Sequence, residues 1–319
     1  MKSIKSCAGL WLSLRRPCIT CTGKKDGAGA QVQAVMSTIL FARMQGFTYV
    51  HTPFETIAQA PGGNAAEWAR AWEQSLNLGQ DEWARDDLLF VSERGLGSCT
   101  MLRWRPATLF RLQHCHDYAD LHPDEYARIT PELRRRYDNG KRDFVYREDA
   151  GRLHVAVHIR RGDVSAETEP ARYSDNFRLE KLVRSIQGLL EQAALQYQIH
   201  IISEGGKSDF GPLSELPAQW HLNSCAMEAF DRLVHADILV MAKSSFSYAA
   251  ALLSRGIIVY EPFWHKPMPH WHEIAPSGSL TPDAMMQIRD AACEIRTLQR
   301  QPALTYQSSQ SDRRSNIRR

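Results

Sequence analysis

The sequence predicts an α/β protein with two Rossmann-type domains and mainly parallel sheets. Short, β-rich apolar runs alternate with longer runs of helical periodicity, which is typical of parallel strands joined by crossover helices. The chain of 319 residues is long enough for two ordinary domains, and its 43% hydrophobic and 24% charged content is that of a globular protein. Several apolar runs end directly in glycine, serine or arginine, where such sheets bind ligands.

The first strand–helix–strand unit is predicted from the residues before position 52. Residues 17–22 form a predicted strand, a helix begins near Ala30, and 47–51 form the next strand. Gly27 and Gly29 lie in the intervening loop, where glycines let the backbone approach a ligand closely. A plain flexible turn explains the same pattern equally well. The third glycine of the dinucleotide fingerprint is missing, so no nicotinamide cofactor is indicated.

The central feature of the chain is the stretch 153–163, L-H-V-A-V-H-I-R-R-G-D. Its apolar half indicates a strand that is buried on both faces. Guanidinium groups at the carboxyl end of such a strand favour a phosphate ligand. Alternation places His158 and Arg160 on one face and Arg161 on the other, where we expect Arg161 to pair with Asp163. The alternative is a simple surface ion pair at a turn.

A second strand end is predicted beside the first. The strand 198–202 follows a helix over 177–196 and ends in Ser203 and Glu204. Parallel pairing through this crossover places Glu204 at the same sheet edge as Arg160. Ser203 and Glu204 are therefore candidates for contacts with a ribose or a base, with a simple turn as the alternative.

A third strand, 238–241, runs into Ser244, Ser245 and Phe246 at the start of another helix. Free backbone N–H groups and the helix dipole attract anions at such a turn. The alternative is that one serine acts only as an N-cap. The helix predicted further upstream begins with Thr130 as its N-cap and a proline in the first position.

Composition excludes several classes of protein. A balance of 39 basic and 36 acidic residues, with a net charge of +3, does not indicate nucleic-acid binding. Seven cysteines cannot form a complete disulfide framework, and the C-x-x-C at 18–21 lies within a predicted strand. We expect no metal site and no transmembrane segment, because no sufficient ligand cluster or long apolar run occurs. These features favour a soluble, cytoplasmic protein over one of the secretory pathway.

The segment H-I-R-R-G-D at 158–163 resembles the H-x-R-R-x-D motif of the α1,2-, α1,6- and protein O-fucosyltransferase superfamily. In that family this strand end grips the diphosphate of GDP-fucose. The glycine-rich segment that ends in Gln31 and the segment Ser244–Ser245–Phe246 resemble two further family segments, in the right order. Asp231 lies near the position of the family's acidic guanine contact.

The resemblance implies a GT-B-like fold. An N-terminal α/β domain over 1–150 then lies on the acceptor side and contributes the glycine-rich loop. A nucleotide-sugar-binding, Rossmann-like domain covers 151–302, and a disordered tail follows over 303–319. The implied activity is an inverting, metal-independent transfer of fucose from GDP-fucose to a glycan or glycoprotein hydroxyl, with no cofactor besides this donor. The chain has no Asp-x-Asp motif, so Arg160 and the serine turn are expected to supply the positive charge.

The catalytic assignment from sequence is Arg160 together with a carboxylate that acts as base, with Asp163, Glu167 and Glu169 as the options. The α1,6-type members have a lysine directly after the motif's aspartate, where this chain has Val164, which argues against their acceptor specificity. Two alternatives remain open. One is a non-catalytic protein that binds a sugar nucleotide or glycan on the same fold, and the other is another anion-using transferase such as a sulfotransferase.

Overall fold

The computed structural model describes residues 15–96, 106–141 and 151–300. This part of the chain forms two parallel sheets with helices packed against them, which confirms the predicted α/β class. The domain boundary expected near residue 150 and the tail expected over 303–319 lie outside the described residues.

The first sheet has five parallel strands. They are β1 Cys18–Cys21, β2 Thr48–His51, β3 Trp83–Ala84, β4 Ser92–Gly95 and β5 Thr108–Leu112. The helices of this half are α1 Ala28–Gln45, α2 Ala65–Leu76, α3 His116–Leu121 and α4 Pro123–Asn139. The strand order is β3-β2-β1-β5-β4, so α1 leaves the sheet from its central strand.

The second sheet has six strands, also all parallel. They are β6 Leu153–His158, β7 Tyr197–Ser203, β8 Ala218–Leu222, β9 Ile238–Val240, β10 Ile257–Tyr260 and β11 His272–Glu273. The helices of this half are α5 Asn176–Gln192, α6 Ala226–Val234, α7 Ser245–Leu253 and α8 Pro282–Arg300. The order β11-β10-β9-β6-β7-β8 is that of a doubly wound fold. The chain reverses direction across the sheet between β6 and β9, which is where such folds bind ligands.

Strand β6 is buried on both faces, as its composition predicts. Val155 and Val157 pack into one apolar cluster with α5, while Ala156 faces a second cluster. That second cluster also contains Trp72 of α2 and Phe230 of α6, whose rings lie 5.7 Å apart at 85°. A shared apolar core therefore joins helices of the two halves, and it fixes the strand ends of both sheets relative to each other.

Two local predictions fail. The helix expected to begin with Thr130 as its N-cap begins at Pro123 instead. Pro131, expected in its first position, lies inside this helix, α4. Either proline suits a first helical position, and the sequence pattern does not choose between them. Strand β5 is missed because T-L-F-R-L is short and interrupted by an arginine, although it pairs with the central strand β1.

The structure also describes the cysteines of the C-x-x-C segment, the possible metal-ligand clusters and the possible membrane-spanning helices. Cys18 and Cys21 are free and buried in β1, and burial raises the pKa of each thiol to about 11, so neither is a reactive thiolate. Within the described ranges, no cluster of three or more His, Cys, Asp or Glu side chains is arranged to hold a metal ion. No helix in the same ranges has both the length and the apolar character needed to cross a bilayer.

Candidate functional site

A cavity of about 390 Å³ lies where the carboxyl ends of the two sheets approach each other. The second sheet contributes the residues that follow β6, the end of β7, and the turn from β9 into α7. The first sheet contributes the start of α1 and the loop before it. Most of the site residues expected from sequence therefore line one cavity, at the point where the strand order of the second sheet reverses.

Arg160 connects two of these strand ends. Its Nη1 donates to the Ser244 hydroxyl at 3.1 Å, and its Nη2 donates to Asp163 Oδ2 at 2.6 Å. The Nε–H is buried and has no hydrogen-bond partner among the described residues. The contact with Ser244 joins the end of β6 to the start of α7.

Arg161 also lines the cavity, but the partners of its guanidinium differ from those of Arg160. Its guanidinium donates to the backbone carbonyls of Arg160 at 2.8 Å and Ser174 at 3.0 Å, and to Asn176 Oδ1 at 2.7 Å. The guanidinium carbon lies 4.4 Å from the centre of the Tyr173 ring. Arg161 thus anchors the far end of the loop that follows β6.

The pairing expected between Arg161 and Asp163 is wrong, because Asp163 binds Arg160. Gly162 adopts a φ of 76°, a left-handed conformation that turns the chain and returns the carboxylate toward Arg160. A Cβ at Gly162 would also lie 2.2 Å from a carboxylate oxygen of Glu204. The turn therefore needs glycine for its backbone conformation, whereas the exposed Glu204 side chain could move away from a Cβ.

His158 lies beside Arg160 with its ring centre 5.6 Å from that of Phe246. Burial, with a further contribution from the positive charge of Arg160, lowers the pKa of His158 to about 3. Its Nδ1 is buried without a hydrogen-bond partner in the described part of the chain. A neutral imidazole in this position offers one donor and one acceptor to a ligand.

Two helix N-termini border the cavity. Ser244 is the N-cap of α7, and its side chain accepts a hydrogen bond from the Phe246 amide at 3.2 Å. Gly27 is the N-cap of α1, where no side-chain cap occupies the first-turn amides. The positive ends of two helix dipoles and their free N–H groups therefore face the same space as Arg160.

The glycines before and within α1 play different parts. Gly27 lines the cavity, and a Cβ there would meet nothing within 4 Å. A Cβ on Gly29 would lie 2.3 Å from the Phe246 Cα and amide nitrogen. Gly29 also lines the cavity, but its missing side chain allows α1 to contact the start of α7, not a ligand to approach.

Three expected site residues lie outside the cavity lining. Gln31 is buried, and its Nε2 donates to the carbonyls of Asp26 and Thr56 at 2.7 Å each, so it holds the glycine-rich loop in place. Asp231 accepts from Tyr137 and forms an ion pair with Lys141 at 2.7 Å. Glu167 is exposed and accepts from Ser165 at 2.8 Å.

The remaining expected residues line the cavity in the positions that parallel pairing predicts. The Ser203 hydroxyl is buried and donates to the Ile159 carbonyl at 2.6 Å, so it fixes the end of β6. Glu204, Ser245 and Phe246 complete this set. Ser203 and Ser244 thereby have internal partners, whereas no ion pair or side-chain hydrogen bond engages the Glu204 carboxylate among the described residues.

Sequence reasoning missed four charged or aromatic residues that line the cavity: Asp26, Arg172, Lys243 and Trp264. Lys243 directly precedes the serine pair, and its position in that segment was a usable signal. Its Nζ donates to the Tyr173 carbonyl at 3.1 Å and lies 3.5 Å from Glu261 Oε1. Arg172 and Trp264 lie in loops without a motif, so only the fold brings them to the site.

Asp26 is the cavity carboxylate contributed by the first sheet. Its Oδ2 lies 3.0 Å from Lys24 Nζ, which in turn lies 2.9 Å from His114 Nδ1. Burial acts to raise the pKa of Asp26, but the hydrogen bond and charge of Lys24 outweigh it and bring the pKa below its ordinary value. Asp26 is therefore a carboxylate at neutral pH.

No family model and no curated protein matches the chain. Solved structures with a similar arrangement include the fucosyltransferase NodZ from Bradyrhizobium, at 14% identity and a TM-score of 0.40 over 75% of this chain and 92% of that one. An Arabidopsis thaliana FUT1 variant in complex with GDP is similar at 10% identity and a TM-score of 0.41, covering 84% and 76%. The Escherichia coli heptosyltransferase WaaC with ADP-2-deoxy-2-fluoro heptose is similar at 13% identity and 0.42, covering 86% and 99%. Such distant likeness leaves the function to be argued from the residues of the cavity.

Proposed function

We propose that the protein is an inverting glycosyltransferase that transfers fucose from GDP-fucose to a glycan or protein hydroxyl without a metal ion. The contact between Arg160 Nη1 and the Ser244 hydroxyl, 3.1 Å long, supports this proposal most directly. It joins the fucosyltransferase-like H-I-R-R-G-D segment to the S-S-F-S segment across the reversal point of the second sheet. The two segments that resemble the family's diphosphate site are therefore in contact, which supports one shared diphosphate site.

In the proposed complex, the diphosphate lies between Arg160 and the starts of α1 and α7. Guanidinium and helix N-termini bind phosphate oxygens strongly because their N–H groups are already oriented toward the anion. Glu204 follows the second strand of this Rossmann-type sheet, where an acidic residue accepts hydrogen bonds from ribose hydroxyls. Its carboxylate has no competing cation among the described residues, so we assign it to the ribose.

The proposed reaction is a single displacement at the anomeric carbon of the donor sugar. The acceptor oxygen forms a bond to this carbon, and the bond from the carbon to the β-phosphate oxygen breaks with its electron pair. The acceptor proton passes to a carboxylate of the protein, and GDP leaves. One displacement inverts the configuration. Arg160 and the helix amides stabilise the charge that grows on the departing GDP.

Asp26 is the proposed base. Glu167 and Glu169 lie outside the cavity lining. Asp26 and Asp163 both line the cavity and each contacts a cation, Lys24 at 3.0 Å and Arg160 at 2.6 Å. We choose Asp26 because it lines the cavity from the first sheet, on the proposed acceptor side, whereas Arg160, the partner of Asp163, is assigned to the diphosphate. An acceptor that enters from the first sheet would meet Asp26 opposite the diphosphate. Replacing Asp26 by Asn should lower the turnover number about a hundredfold or more and leave the dissociation constant for GDP nearly unchanged. Weaker GDP binding with normal turnover would contradict this role.

The proposed function is tested by nucleotide selectivity and by product formation. Calorimetric titration with GDP, ADP and UDP should show the tightest binding for GDP, and incubation with GDP-fucose and a glycan library should release GDP in step with fucosylated product. Equal affinity for the three nucleotides would contradict the donor assignment. Loss of activity with EDTA, restored by magnesium, would contradict the metal-independent mechanism.

A non-catalytic sugar-nucleotide-binding protein is the second candidate. It is favoured by the ion pair between Arg160 and Asp163, which takes a motif carboxylate out of proton transfer. Tight GDP-fucose binding without GDP release, in the presence of a broad acceptor library, would establish this alternative.

A further inference from the structure

The loop between β6 and α5 brings a further cation to the cavity. Arg172 lines the cavity, and its guanidinium carbon lies 4.9 Å from the centre of the Trp264 ring. No carboxylate and no hydrogen-bond acceptor engages this guanidinium among the described residues. The neighbouring cations are committed, because Arg160 binds Asp163 and Lys243 lies near Glu261. Arg172 therefore has unused N–H donors beside the proposed anion site.

The backbone next to Arg172 is firmly held. Lys243 Nζ donates to the Tyr173 carbonyl at 3.1 Å, and Arg161 donates to the Ser174 carbonyl at 3.0 Å. The Ser174 hydroxyl donates to the buried carboxylate of Glu261. The backbone beside Arg172 is thus held by Arg161 and Lys243, which follow two strands and also line the cavity. This limits the movement of the Arg172 backbone.

Trp264 orients this side chain. Trp264 is 49% exposed, and a cation–π contact through the face of the guanidinium leaves the N–H groups at its edge available. A guanidinium fork with a free edge matches two oxygens of one phosphate. Trp264 is therefore a positioning residue that limits the directions in which Arg172 can point.

We propose that Arg172 binds the terminal phosphate of a nucleoside diphosphate and stabilises it as the leaving group, with Trp264 holding the guanidinium in place. This proposal rests on the proposed function and deepens it. Arg160 shares its charge with Asp163, so a departing diphosphate needs a second cation that is not already neutralised.

The first test compares a diphosphate with a monophosphate. Affinities for GDP and GMP are measured by calorimetry in the native protein, in Arg172→Ala, and in Arg184→Ala as a control on the exposed side of α5. Arg172→Ala should weaken GDP binding about tenfold or more and change GMP binding little, because a charge-assisted hydrogen-bonded contact to the terminal phosphate is lost. Arg184→Ala should behave as the native protein. An unchanged ratio of the two affinities in Arg172→Ala would overturn the proposal.

The second test examines Trp264. Trp264→Phe keeps an aromatic face and should retain most of the preference for GDP over GMP, whereas Trp264→Ala should lose a large part of it. In turnover, Arg172→Ala should lower kcat more than it raises KM, since the contact strengthens as charge develops on the leaving group. Equal ratios in the two Trp264 variants would contradict the positioning role, and a change in KM alone would contradict the role in leaving-group stabilisation.

Failure of this proposal and failure of the proposed function give different results. A native protein that does not prefer GDP to GMP has no diphosphate site, and the proposed function fails. If the native protein prefers GDP, Arg160→Ala abolishes that preference and Arg172→Ala leaves it intact, only the role of Arg172 fails. Melting temperatures of all variants are compared, and values close to native show that the affinities refer to folded protein.

Discussion

The three guanidinium nitrogens of Arg160 have different surroundings. Nη1 donates to Ser244, Nη2 donates to Asp163, and the buried Nε has no partner in the described ranges. Only a planar guanidinium presents N–H donors in all these directions at once, whereas the ammonium group of lysine acts as a compact point charge. Arg160→Ala should therefore weaken GDP binding about a hundredfold, and Arg160→Lys should recover less than half of the lost binding free energy. Calorimetric titration measures both, with Arg184→Ala as the control. Full recovery by lysine would show that only charge matters there.

At the same scale, the sequence predicts that Arg160 and Arg161 differ in role, but not the partner of Asp163. Arg160 contacts Ser244, and Arg161 donates to the Ser174 carbonyl, although both line the cavity. The partner of Asp163 depends on the positive φ of Gly162, and a single glycine in the sequence does not reveal the sign of its φ. Long-range neighbours such as Trp264 depend on how distant loops meet, which no local pattern encodes.

At the scale of elements, the contact between α1 and α7 sets the geometry of the cavity. Gly29→Ala would normally stabilise a helix by about 1 kcal/mol. Here the new methyl group would lie 2.3 Å from the backbone of Phe246, and backbone cannot move aside as a flexible side chain can. We therefore expect Gly29→Ala to lower the free energy of unfolding by about 2–3 kcal/mol.

The matched control is Gly27→Ala, whose Cβ meets nothing within 4 Å and whose φ of −66° suits any residue. Its free energy of unfolding should fall by at most about 1 kcal/mol, because alanine is a poorer N-cap than glycine but meets no steric clash. Urea unfolding of both variants measures the difference. If the two variants are equally stable, α1 and α7 are not in the close contact that the structure shows.

The order of elements in the second half follows closely from the sequence, because β6, β7, β9 and β10 are short apolar runs separated by helices with clear periodicity. The first half is predicted less well. Strand β3 has two residues and β4 carries a charged pair, so neither has the apolar pattern of a buried strand. Their pairing is a property of the assembled sheet.

At the scale of the whole molecule, buried histidines link folding to pH. His154, His200 and His221 form a chain across β6, β7 and β8, with ring nitrogens 3.0 Å apart at both contacts. Each neutral imidazole has one donor and one acceptor, so both contacts are satisfied when all three rings are neutral. Burial, followed by the charges of His154, His221 and Arg232, lowers the pKa of His200 to about 3.

His158 has a pKa of about 3 as well, whereas an unfolded chain restores histidine to a pKa near 6.5. Between pH 6.5 and 3 the unfolded state therefore binds more protons than the native state. The free energy of unfolding decreases as the pH falls through this range. Between pH 7.5 and 5, His158 and His200 should each cost about 2 kcal/mol of unfolding free energy. The lowered pKa of Asp26 acts only at lower pH and does not contribute to this window.

Urea unfolding at pH 7.5, 6.0 and 5.0 measures this loss in the native protein and in His158→Asn. The variant should lose about 2 kcal/mol less than the native protein over the range, whatever its absolute stability, because one of the histidines that take up a proton only on unfolding is gone. Proton uptake on unfolding at pH 5, measured in buffers of different ionisation enthalpy, should fall by about one proton in the same comparison. Identical pH dependence in both proteins would mean that His158 takes up its proton in the folded state, and the imidazole beside Arg160 would then be a cation in the anion site.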